Sequence, residues 1–191
     1  MGELEPILSQ DINPVHRNFL RIEELFVTVA KLTSSVFGGS LAPSTGPAYA
    51  RVTHSANQVT TTAVAFIVAF DTERWDTGNL HSTSVNTSRF TISVAGLYSM
   101  GCIIGFDANA TGRRQVGIRL NATSTIGITE GPGTPTPGGT YINVVSEYQL
   151  AVGDFVDVTA FQTSGGNLNI LSAGGSGSYT PEFWIRRVGN T

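Results

Sequence analysis

The chain has a single cysteine, Cys102, in 191 residues, which excludes an intrachain disulfide framework and a cysteine-built zinc cluster. Charge is scarce as well. Asp, Glu, Lys and Arg make up 13% of the sequence, about half the share of an ordinary globular protein. Helical proteins cover their surfaces with Glu, Lys and Arg, so this scarcity argues against an all-α chain. There is no Lys/Arg-rich run and the net charge is −3, which leaves no electrostatic footprint for nucleic acid. No stretch approaches the roughly 18 apolar residues that a membrane helix requires. The opening residues, MGELEPILSQ, carry neither the basic nor the apolar segment of a signal peptide. The expected setting is a reducing compartment, or release from the cell by a route other than general secretion.

What the chain does have is glycine, 22 residues of it, with much Ser and Thr and ten Phe to fill a core. Low net charge with that many Phe argues against disorder. Many short strands joined by Gly-rich turns fit the composition, and the length suits one domain with an appendage.

The appendage is N-terminal. Asn13 is a good helix cap and Pro14 a good first helical residue. Phe19, Ile22, Phe26, Val29, Thr33 and Val36 then recur three and four apart, the spacing of a coiled-coil seam, with Val15 extending it and Leu25 and Leu32 on its flank. The spacing fits a self-associating stalk or a helix packed on its own domain. The organisation expected is an extended segment over 1–12, a helix over 13–37, a linker over 38–47 and a body over 48–191. In the first segment Leu4, Ile7, Leu8 and Ile12 have no domain of their own to cover them. They suit a particle anchor that orders against a partner groove.

The body reads as strands throughout. Period-two alternation runs through Tyr49–Thr53, Arg89–Val94, Leu97–Phe106, Gln115–Leu120, Tyr141–Leu150, Phe155–Phe161 and Phe183–Val188, and Val59–Phe70 is one longer apolar run. Phe90, Ile92, Tyr98, Ile104, Val116, Ile118, Phe155 and Phe183 are the expected core. Eight or more short strands without intervening helices leave no room for parallel crossovers, so the body is expected to be an antiparallel sandwich or barrel.

Chemistry is sparse. Asp71, Glu73 and Asp76 in FDTERWDTG could offer carboxylates to calcium, but the segment lacks the Gly and terminal Glu of a calcium loop, and a polar loop with Arg74 paired to a neighbour is the alternative. Asp154 and Asp157 lie three apart on a strand and point to opposite faces, so they do not read as a catalytic pair. Asp154 reads as a turn residue after Gly153. Cys102 sits mid-strand among bulky residues, as a small hydrophobe does. His16, His54 and His81 share no metal-ligand spacing. No nucleophile elbow or phosphate loop is present, and the acceptor motifs at Asn86, Asn109 and Asn121 mean little without secretion. No metal or cofactor is expected. The Gly-rich tract Ser172–Tyr179 reads as a surface loop. Hydroxyl-rich loops with exposed aromatics such as Trp75 near their tips suit carbohydrate or protein recognition better than catalysis.

The order of segments is informative. SRFTISVAGLYSMGC from Ser88, FDTERWDTG from Phe70, NATGRRQVGIRLNAT from Asn109, YQLAVGDFVDVTAFQTSGG from Tyr148 and PEFWIRRVG from Pro181 together resemble the jelly roll shared by the complement component 1q head and tumour necrosis factor. The resemblance spans roughly residues 49–189. The variant with NATGRRQV, QTSGG and PEFW is similar to small domains of tailed-bacteriophage structural proteins. That resemblance implies a jelly roll over 48–191, a homotrimer with inner sheets around an axis, and no enzymatic activity. It implies that the closing strand and the strand Tyr141–Leu150 face that axis; within the latter, Tyr141, Asn143 and Val145 are the set expected on the axis, with Val144, Ser146 and Tyr148 on the other face, and the seam residues Phe19, Ile22, Phe26, Val29 and Val36 are the second contact zone. The expected protein is a virion component (a phage fibre, spike or decoration) made in the host cytoplasm and released by lysis. Its partners would be further copies of itself and proteins of the capsid, neck or tail. A receptor-binding or lectin-like head for a host surface glycan or protein is the alternative.

Overall fold

The computed structural model describes residues 48–172 and 180–190. The anchor, seam and linker expected over 1–47, and the tract 173–179, lie outside the described residues.

Alternation produces the strands. In β6 (Gly96–Phe106), Tyr98, Met100, Cys102, Ile104 and Phe106 are buried on one face, and β9 (Thr140–Leu150) and β10 (Phe155–Gln162) repeat the pattern. The remaining strands are β1 (Tyr49–Thr53), β2 (Gln58–Thr60), β3 (Phe66–Ile67), β4 (Thr72–Asp76), β5 (Arg89–Thr91), β7 (Arg113–Leu120), β8 (Ser124–Pro132), β11 (Leu168–Ile170) and β12 (Glu182–Gly189). Every ladder is antiparallel, and there is no helix among the described residues.

Two sheets result. In the first, β4, β1, β12, β6 and β9 lie side by side, and β11 pairs the end of β6 and carries β2. In the second, β3, β10, β7 and β8 follow one another, with β5 also on β10. The inner faces of both sheets form one core. Phe183 of the first sheet stacks at 4.5 Å on Phe90 of the second and at 5.7 Å on Phe70. Ring pairs of this kind add about 0.5–1.5 kcal/mol beyond their buried area. Phe90, Ile92, Tyr98, Ile104, Val116, Ile118 and Phe183 are all fully buried.

Four readings of the sequence need correction. Phe155 is half-buried: Val156, Val158 and Ala160 take the inner face of β10, so its neighbour must point outward. Val59–Phe70 is two strands, because the chain changes sheets there; Ala63, at φ 60°, turns it and hydrogen-bonds to the Gln162 carbonyl. FDTERWDTG holds an edge strand, β4, paired with β1, so Trp75 sits within a strand, opposite Arg51, rather than at a loop tip. Finally, β8 and β11 are strands that the alternation does not announce. Gly127 and Gly131 dilute the pattern of β8, and at Gly127 a Cβ would stand 3.1 Å from Val144 of β9, so the glycine permits a close approach.

Candidate functional site

Directly opposed residues of antiparallel strands share a face. Across the first sheet, Trp75, Arg51, Trp184, Gly101 and Val145 form one such row, running from β4 to β9. Tyr49, Arg186, Ser99 and Glu147 form a second, and Thr53, Glu182, Ile103 and Asn143 a third. All these residues point away from the core. Val145 is 67% exposed and Trp75 45%, and Tyr49, Tyr141 and Val188 are exposed as well.

Glycines shape this face. A Cβ on Gly101 would stand 2.7 Å from the Trp184 ring, and one on Gly105 2.7 Å from the Tyr141 ring. Both aromatics therefore lie flat across β6. Toward the β4 end, Tyr49, Arg51, Trp75, Trp184 and Arg186 line an open groove of about 320 Å³. Toward the β9 end, Val145 is the most exposed of these residues.

An ion cluster reaches the groove through Arg51. Glu182, 1% exposed, pairs with both Arg51 and Arg74, the latter at 2.8 Å. The register of β1 against β4 skips Arg74, so a bulge supplies the second guanidinium. Hydrogen bonding to Glu182 holds the Arg51 guanidinium above its usual range, against the pull of burial. Its centre lies 5.6 Å from the Trp75 ring. A carboxylate this deep is tolerable only when paired, and here two cations share the task.

The sequence candidates fall out as follows. Tyr141, Asn143 and Val145 come together on the outer face of β9, while Val144 is in the core, Ser146 half-buried and Tyr148 exposed. The seam residues Phe19, Ile22, Phe26, Val29 and Val36 and the anchor residues Leu4, Ile7, Leu8 and Ile12 are outside the described residues. Asp71, Glu73 and Asp76 do not converge. Asp71 accepts from Ser55 and Thr72, Glu73 pairs with His81, and Asp76 accepts from the Gly78 and His81 amides. Burial pushes the Asp71 carboxyl up, but the hydrogen bonds from Ser55 and Thr72 and the nearby His54 outweigh it and hold it below the usual range. Among the described residues no cluster of three metal-ligating side chains occurs.

Asp154 closes the turn after β9, accepting from Ala151 and Asn121, with Gly153 at φ 90°. Asp157 is buried and takes Arg119 in both oxygens. Cys102 is buried between β9 and β12, and burial pushes its thiol up to about 12. Two fully buried charged residues escaped sequence reasoning. One is Glu182. The other is Arg114, fully buried, which donates to the Asn109, Thr111 and Arg113 carbonyls and ties down the loop before β7. Its parity with Val116 and Ile118 was the available signal; desolvation lowers its pKa.

No family profile and no curated protein matches the sequence. Solved structures do. A crystal structure of murine APRIL at pH 5.0 aligns with a TM-score of 0.52 at 11% identity, covering 75% of this chain and 100% of that one. The globular domain of zebrafish complement 1qA aligns with a TM-score of 0.48 at 13% identity, over 74% and 96% of the two chains. The likeness to APRIL shows the fold: a jelly roll of the tumour necrosis factor kind.

Proposed function

We propose that this chain is a non-enzymatic, homotrimeric structural component of a virion, a phage fibre, spike or decoration. Its heads meet through the outer face of the β4–β1–β12–β6–β9 sheet. Its N-terminal region joins a stalk along Phe19, Ile22, Phe26, Val29 and Val36 to an anchor of Leu4, Ile7, Leu8 and Ile12 that docks on capsid, neck or tail proteins. The observation that carries the self-association is the exposed face itself: Tyr49, Trp75, Tyr141, Val145 and Val188 stand in open solvent on one sheet. Large apolar side chains gathered on one exposed sheet face mark an interface. Its two ends are unlike, a groove at β4–β1–β12 and the exposed Val145 on β9. Unlike, complementary patches make head-to-tail contacts, which close into rings when the rotation allows.

The virion assignment is supported by NATGRRQV, QTSGG and PEFW, which fall at the start of β7, the end of β10 and the start of β12. Sedimentation equilibrium of the full chain tests the assembly. The expected mass is three times the 20.2 kDa of one chain. Val145→Glu, at an exposed position, should raise the dissociation concentration about tenfold or more, because the new charge is desolvated on assembly. A monomer or dimer at micromolar concentration overturns the reading. The adhesion alternative is favoured by one cleft, lined by residues 79–86 and β5.

A further inference from the structure

Arg119, Asp157 and Arg89 lie in register across β7, β10 and β5, on the outer face of the second sheet. Arg119 occupies both oxygens of Asp157, its Nε and Nη2 each at 2.8 Å. Two guanidinium groups thus flank one carboxylate, which Arg119 takes, and the uncompensated charge is that of Arg89. Among the described residues no carboxylate stands within ion-pair distance of Arg89, and its Nε is buried without an acceptor. The guanidinium instead lies over the half-buried Phe155 ring, 4.4 Å from its centroid. Stacking orients its plane without using any of its donors.

Arg89 lines a cleft of about 250 Å³ whose other walls are the neutral polar Asn79, Ser82, Asn86 and Thr91, the apolar Leu80 and Val85, and His81. The acidic groups nearby are already committed. His81, its side chain fully buried, holds Glu73 through Nδ1 at 3.0 Å and the Thr87 carbonyl through Nε2 at 3.0 Å, and its amide donates to Asp76 at 2.8 Å. Those contacts fix the loop that walls the cleft.

We propose that this cleft binds the carboxylate of an acidic sugar residue. A planar guanidinium matches a carboxylate in a two-pronged contact. The space is smaller than a drug-sized pocket, and its amides and hydroxyls suit sugar hydroxyls while Leu80 and Val85 offer contact to the C–H face of a sugar ring. With Arg119 committed to Asp157, there is one spare cation for one negative charge. The site does not depend on the sheet-face assembly, so each can fail without the other.

The test is calorimetric titration of the full-length protein with D-glucuronate, glucose, acetate and inorganic phosphate in turn. Glucuronate should bind in the millimolar range, with glucose and acetate each about tenfold weaker or more, and Arg89→Gln should lose about tenfold or more for glucuronate. Should that variant misfold, wild-type protein in rising NaCl serves instead: glucuronate binding should weaken while any glucose binding holds. No binding of glucuronate at millimolar concentration, equal binding of glucose or acetate, tighter binding of phosphate, or full binding by a folded Arg89→Gln variant each overturns the proposal.

Discussion

At the scale of single residues, charge placement separates structural ions from available ones. Glu182 is the structural extreme, a buried carboxylate facing two guanidinium groups. Removing one partner of a buried pair leaves charge without compensation, at a cost of about 3–5 kcal/mol. Arg51 and Arg74 keep some contact with water, so Glu182→Gln should cost about 3 kcal/mol, the low end of that range. Urea denaturation would measure it as a lower midpoint at unchanged slope. A variant as stable as the wild type would mean that water already solvates both arginines. Arg114 reaches the same end without an acid, since three backbone carbonyls take its donors. Arg89 alone of these has a stacking partner and no acceptor.

Among the elements, β6 governs the exposed face, because its glycines let Trp184 and Tyr141 lie across it. Gly101→Ala would place a methyl 2.7 Å from the Trp184 ring and 2.9 Å from the Val144 carbonyl. The ring can swing away; the carbonyl belongs to the β6–β9 ladder and cannot. The expected cost is about 1–3 kcal/mol, read as a fall in thermal midpoint, together with weaker self-association as Trp184 lifts. A midpoint unchanged by the substitution would show that β9 shifts freely. Long strands such as β6, β9, β10 and β12 were legible in the sequence because ten or so alternating positions outvote local noise. The same parity identified Tyr141, Asn143 and Val145 as a face, and applied to Val156 and Val158 it would have placed Phe155 outside. What stayed hidden depends on pairing between distant segments. The charged strand β4 looks like a loop until Arg74 meets Glu182 across the sheet, and Arg89 looks like an ordinary surface cation until Asp157 is seen to be occupied by Arg119.

For the whole molecule, attachment and assembly are separable under the proposed architecture. A chain lacking residues 2–12 should fold and trimerise as the full chain does, yet be absent from purified particles when their proteins are quantified. Wild-type occupancy by the truncated chain would move attachment to the jelly roll. The chain enters the described body at Ala48 and leaves beside it, since Tyr49 opposes Arg186 and the Arg187 amide donates to the Ala48 carbonyl. Strand β1 is held on both flanks, by β12 and by β4. These facts set how a tethered head bears mechanical load. Tension applied along β1 shears both ladders at once, and every hydrogen bond resists together. Tension between the two chain ends would instead peel β1 from β12 one bond at a time, at far lower force. A head held by its N-terminal side alone is therefore pulled in its strong direction.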